Sequence, residues 1–142
     1  MTRAGHRAFG IIATVVVIAA VAWGFAIVGS PESRRLEKLD ERRLDELQAI
    51  AYEARELVYD EELRSLKRDL FDDLPALVEA ARRRKLSAAD PETGEAYGYR
   101  VLGPYRFELC ATFDGARDAE YDVFWNHPAG RHCFVIDVRE RP

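Results

Sequence analysis

Residues 8–28 read AFGIIATVVVIAAVAWGFAIV, a run without one charged side chain. A helix rises about 1.5 Å per residue, so the run covers roughly 30 Å, the thickness of a bilayer's hydrocarbon layer. It reads as a single membrane-spanning helix, with the lipid bilayer as the partner of Ala8 to Val28. Everything after it reads as one small domain tethered at a membrane surface.

Two processed forms compete with a retained anchor. Ala20-Val21-Ala22 has the small-x-small pattern of a signal-peptidase site. Hydrophobicity runs on through Trp23, Phe25, Ile27 and Val28, so retention is expected. Gly10 before an apolar run also suggests a type IV prepilin signal. That signal carries Glu at the fifth mature position, and Val15 stands there.

Removing the anchor from 142 residues leaves enough chain for one small domain. A formal net charge of -4 offers no electrostatic footprint for nucleic acid. Cys110 and Cys133 allow one disulfide, which persists only in an oxidising compartment.

Outward from the span, Gly29-Ser30-Pro31 ends one helix and starts another, with Ser30 as cap and Pro31 at the first position. A helical stalk is predicted from Glu32 to about Tyr59. Leu36, Leu39, Leu44, Leu47, Ile50, Ala54, Leu57 and Val58 recur at three-to-four spacing. The charged positions between them read as a solvated face. The stripe suits a self-associating coiled coil or packing on the C-terminal part. The lack of four clean heptads favours packing. Leu63, Leu66, Leu70 and Phe71 continue an apolar face. Asp72-Asp73-Leu74-Pro75 opens a further helix, closed by the basic run Arg82-Arg83-Arg84-Lys85. That run reads as favourable charge at a helix C-terminus.

From Asp90 the texture changes. Asp90-Pro91-Glu92-Thr93-Gly94 is a turn by its residue types. Tyr97, Tyr99 and Val101 alternate with polar or small residues, and Gly103-Pro104 supplies a turn. Tyr105, Phe107, Leu109, Ala111 and Phe113 then line one face of a second strand, with Cys110 on the other. Residues 132–138, HCFVIDV, form a third. The expected fold is α+β: a transmembrane helix and tail over residues 1–29, a helical stalk and packing helix over 30–86, and a small antiparallel sheet of about three strands over 87–142. If the second and third strands are neighbours, a Cys110–Cys133 disulfide closes a loop of about twenty residues and contributes on the order of 3 kcal/mol.

The chemistry-bearing residues admit three further readings. Cys110, His127, His132 and Cys133 match zinc in ligand type, but there is no CxxC knuckle, and adjacent His132 and Cys133 face opposite sides of a strand. His127 with Asp114, Asp118 or Asp122 matches an acid–base pair, but no nucleophile motif accompanies it. No glycine loop for phosphate is present. A non-enzymatic chain without cofactor or bound metal is expected, with a small metal-dependent enzyme as the remote alternative.

Three blocks together resemble a group of bacterial single-span membrane proteins with a pilin-like layout. The first is Asp40-Glu-Arg-Arg-Leu-Asp-Glu-Leu-Gln-Ala-Ile50, similar to a D-x-x-R-x-x-D-L-x-x-I pattern. The second is Leu74-Pro75-Ala-Leu77 with Asp90-Pro91-Glu-Thr93-Gly94-Glu-Ala-Tyr97-Gly-Tyr99. The third is Leu109-Cys110-Ala111-Thr-Phe113 with Trp125-Asn-His127-Pro-Ala-Gly130-Arg-His-Cys133-Phe134. The turn from Asp90 also resembles the turn before the sheet in type II secretion pseudopilins. That likeness implies a long helix followed by a small sheet, and it suggests calcium at Asp90, Glu92 and Glu95, although three acids in a turn are commonly just solvated. The resemblance further implies that Trp125, His127 and Gly130 form a structural loop clamped by the cysteines, Trp125 packing on the sheet.

Orientation is contested. Arg34, Arg35, Lys38, Arg42 and Arg43 outnumber Arg3 and Arg7, which places the C-terminal side in the cytoplasm by the positive-inside rule. The cysteines and the resemblance suit an extracytoplasmic C-terminal domain, and that orientation is adopted. The expectation is a single-pass, membrane-anchored structural or protein-interaction module of the bacterial envelope. Its partner would be an envelope protein, or a second copy through the stalk. The alternative is a pilin-like assembly subunit.

Overall fold

The structure, a computed structural model, describes residues 3–28, 30–81 and 85–140. It is an α+β chain in two compact units, Met1–Arg35 and Leu36–Pro142. The first unit holds helix α1, Arg3–Val28. Its stretch Gly5–Gly24 has a mean hydropathy of 2.0 and no buried residue, and it is long and apolar enough to cross a membrane.

Helix α2 is Pro31–Val58. Ser30 caps it: its Oγ accepts the Ser33 amide at 3.1 Å, and Pro31 sits where no amide donor is needed. Within the second unit, Leu44, Leu47, Ile50, Ala51, Ala54 and Val58 form one buried stripe. That stripe shares a core with Phe107, Leu109, Phe113, Phe134, Ile136 and Val138 of the sheet. The face that a coiled-coil partner would have used is therefore covered by the chain's own strands. Each large side chain so buried contributes about 1.5–3 kcal/mol before entropy is counted.

Two expectations along this segment need correction. The charged face of α2 is not wholly solvated: Arg43, Glu53 and Arg55 are buried. Arg55 Nε donates to the Val138 carbonyl at 3.0 Å, and its guanidinium pairs with Glu61. A side chain long enough to reach across the stripe finds a carbonyl at the end of the sheet, which hydropathy spacing cannot register. Leu63 does not continue the apolar face and is 75% exposed. It stands in the turn of a small hairpin, β1 (Tyr59–Asp60) paired with β2 (Ser65–Leu66). The Asp60 carboxylate accepts the amides of Glu62 and Leu63, both at 3.0 Å, and so ends the helix with a side-chain turn.

Helix α3 is Leu74–Ala80. Asp73 caps it by accepting the Ala76 amide at 2.8 Å, and Pro75 stands in the first turn. Arg82, Arg83 and Arg84 of the basic run lie outside the described residues; Lys85 is exposed.

The sheet is antiparallel, in the order β3 (Gly98–Gly103), β4 (Arg106–Phe113), β5 (Gly130–Asp137). Central β4 buries Phe107, Leu109, Ala111 and Phe113 against α2. This is the alternation expected of a strand with one face on the core. Its register with β5 sets Leu109 opposite Phe134 and Cys110 opposite Cys133. Gly98 of β3 pairs directly with Cys110 of β4, and a Cβ there would come within 2.9 Å of the Cys110 Cβ. Glycine is required there by a close approach, not by backbone angle.

Candidate functional site

Three neighbouring pieces of the second unit hold the residues singled out from sequence. The first is the cystine. Cys110 and Cys133 are bonded at an S–S distance of 2.03 Å, across directly paired positions of β4 and β5. Among the described residues, the potential metal ligands that come together are Glu108, Cys110 and Cys133, and both sulfurs are already committed to each other. The four-residue zinc set is not assembled. The thiolates are absent, and the rings of His127 and His132 are turned to Phe113 and Phe134 respectively.

The second piece is the turn at Asp90. Its carboxylate Oδ1 accepts the amides of Glu92 (2.8 Å) and Thr93 (2.9 Å). Gly94 N–H returns to the Asp90 carbonyl, and Gly94 takes a φ of +73°, which glycine adopts without steric cost. Pro91 pre-sets the first corner. The Thr93 hydroxyl accepts the Glu95 amide at 3.2 Å.

The carboxylates of this turn converge on an internal cation. Arg43, on the buried side of α2, donates from Nε to Asp90 (2.5 Å), from Nη1 to Asp114 (2.6 Å) and Asp40 (2.8 Å), and from Nη2 to Glu92 (3.2 Å). One planar fork thus ties α2 to the turn before β3 and to the end of β4. Asp40 also accepts the Asp114 and Gly115 amides at 3.0 and 2.7 Å. Nearby, the Tyr97 hydroxyl donates to Glu46 of α2 at 2.7 Å. Burial opposes a charge on Arg43, but its bonds to Asp90, Asp114 and Asp40 outweigh it and raise its pKa. Burial likewise works against ionised Asp90, yet Arg43 and the Thr93 and Glu92 amides hold its carboxyl at about 2. Asp90 and Glu92, two of the acids suggested for calcium, thus already face a guanidinium. Glu95 is exposed and makes its turn contact through its backbone.

The third piece is the loop between β4 and β5. Trp125 is buried and packs at 4.8 Å on the Phe134 ring. His127 is buried and stacks on Phe113 with centroids 3.6 Å apart, its Nδ1 3.1 Å from the Pro128 carbonyl oxygen. Burial pushes its pKa below the ordinary imidazole value. Gly130 opens β5 with a φ of +93°. The acids considered as partners of His127 are engaged elsewhere: Asp114 with Arg43, Asp122 with Arg117, and Asp118 with Asn126. The residues proposed for an acid–base pair are not brought together.

Chemically, these three pieces are clamps: a covalent bond, an ion cluster and a stacked aromatic plug, all closing the same core. No family model, curated protein or solved structure matches the chain.

Proposed function

We propose that the chain is a membrane-anchored, extracytoplasmic module of the bacterial envelope with a structural or protein-interaction role. One observation carries the reading: an apolar helix of membrane-spanning length shares the chain with a unit whose two cysteines are within bonding distance. Disulfides persist outside the cytoplasm, so this pairing supports an amino terminus inside and a folded unit outside. The clamps around the core support a scaffold in which side-chain chemistry is devoted to holding shape. A pilin-like assembly subunit is the second reading. It is favoured by the order of a long helix and then a small antiparallel sheet, and opposed by Val15 where a prepilin carries Glu.

Thiol labelling in intact cells tests the main reading. A membrane-impermeant maleimide should reach Cys110 and Cys133 only after reduction. Labelling that requires cell lysis and no reductant would put the unit in the cytoplasm and overturn it. An amino terminus beginning after Gly10 in the mature protein would move the reading to the assembly subunit.

A further inference from the structure

The loop between β4 and β5 has an apolar tip that is left largely outside the core. Tyr121 is 86% exposed, Val123 65% and Phe124 41%. Scattered exposed apolar residues are ordinary. These three fall within four positions, and the loop that bears them is unusually well tied. Its ends are joined by reciprocal backbone bonds, Arg117 N–H to His127 carbonyl (2.8 Å) and His127 N–H to Arg117 carbonyl (3.1 Å). The Asn126 side chain closes it from within: Oδ1 accepts the Ala119 amide at 2.8 Å and Nδ2 donates to the Ala119 carbonyl at 3.1 Å. Arg117 Nη2 donates to the Asp122 carboxylate at 2.9 Å. Asp122 holds the left-handed conformation at φ +74°, which short polar residues tolerate better than bulky ones. It starts the single 3-10 turn Val123–Trp125, whose buried Trp125 anchors the loop to the core. Phe124 leans edge-on against Trp125 at 5.0 Å, leaving Tyr121 and Val123 in solvent.

A loop ordered in this way has already lost the conformational entropy that a binding loop gives up on association. Its rim is acidic. Between Arg117 and His127 the chain carries Asp118, Glu120 and Asp122 against Arg117 alone. That charge disfavours docking on anionic lipid and favours a positively charged surface.

We propose that Tyr121, Val123 and Phe124 form a pre-ordered docking knob for a protein partner, one presenting an apolar pocket rimmed by lysine or arginine. This rests on the interaction-module reading and deepens it by naming the surface and the partner's chemistry. Tyrosine is among the residue types enriched at the energetic centre of such contacts.

The test uses the full chain in its native membrane, with a photo-crosslinking amino acid at position 121 and, as a control, at exposed Leu63. The expected result is an adduct to one protein from position 121 and none from position 63. Its cross-linked peptide should map to a basic surface, and its yield should fall about tenfold when Asp118→Lys and Glu120→Lys reverse the rim charge. Unfolding of the doubly substituted chain should be unchanged, since both side chains are exposed and the one bond given up, Asn126 to Asp118 at 3.5 Å, leaves the shorter Asn126 bonds to Ala119 in place. Four outcomes overturn the proposal: adducts to lipid only, adducts to a second copy of this chain, no adduct above the control, or a yield indifferent to charge reversal. Compartment is read separately by thiol labelling. A cytoplasmic unit with a charge-sensitive adduct would end the envelope reading and leave the docking knob standing.

Discussion

Removing Arg43 should destabilise this fold by taking the cation out of a four-acid cluster. Its guanidinium is 4% exposed and touches Asp40, Asp90, Glu92 and Asp114. The Asp90 and Asp40 side chains are only 10% and 12% exposed, whereas Glu92 and Asp114 are 34% and 38% exposed. Arg43→Ala would leave two nearly buried carboxylates without their cation and two more reaching toward the same space. Breaking a buried pair from one side costs about 3–5 kcal/mol; with half of this cluster open to water, the low end, about 3 kcal/mol, is expected. For a unit of this size that lowers the melting temperature by about 12–20 °C. Arg43→Lys should fall between, because a single ammonium cannot present a planar fork to acids on three sides. Urea unfolding of the full chain in detergent, followed by Trp125 fluorescence in a Trp23→Phe background, measures both. A second readout isolates charge from packing. The vacated cluster of oxygen ligands should take up a hard cation, so millimolar calcium should restore part of the stability of Arg43→Ala and leave the parent unchanged. A loss below about 1 kcal/mol would mean that the four carboxylates are as well solvated as those of surface pairs, and the clamp argument would fail. Equal calcium effects on both chains would sink the idea that Arg43 supplies the cation of this turn.

The remaining expectations concern the other clamps. Replacing both cysteines by serine frees a loop of 23-residue separation and should lower unfolding free energy by about 3 kcal/mol; adding reductant to the parent should reproduce the loss. Acid should weaken the fold in two steps. His127 has a lowered pKa when folded, so the unfolded chain takes its proton first; that stability is present above about pH 6.5 and is lost as pH falls below it. The Asp90 carboxyl, held at about 2, contributes stability that is fully present above its ordinary pKa of 3.8 and is lost as pH falls from there to about 2. His127→Phe, which keeps the stack on Phe113, should erase the first step in urea midpoints against pH and spare the second. Gly98→Ala would bring a Cβ to 2.9 Å from the Cys110 Cβ, which the cystine and the paired strand hold in place, and should cost about 1–2 kcal/mol in the same assay.

The parts of this protein legible from sequence are those written in periodicity and in local turn chemistry. The uncharged run marks α1, and the three-to-four spacing from Leu44 to Val58 marks the buried stripe of α2. Alternation from Phe107 to Phe113 marks the inward face of β4, and the Asp73 cap and the Asp90 turn are local hydrogen bonds visible in residue types. Cys110 and Cys133 pair because strand register sets them opposite, and alternation alone already placed Cys110 off the core face. What escaped is long-range polar structure. Arg43 lies in the charged part of the α2 pattern, and its partners are 47 and 71 positions away at Asp90 and Asp114. A hydropathy pattern records that a side chain is charged and is blind to whether another charge meets it in the folded chain. The same blindness left Asp114, Asp118 and Asp122 open as partners of His127, whereas in the fold they meet Arg43, Asn126 and Arg117. A signal for part of the hub did exist: Asp40 and Arg43 stand three positions apart, which puts an acid and a base on one face of a helix. A solvated face has no use for a particular arginine, whereas a cluster of four acids around a buried guanidinium does.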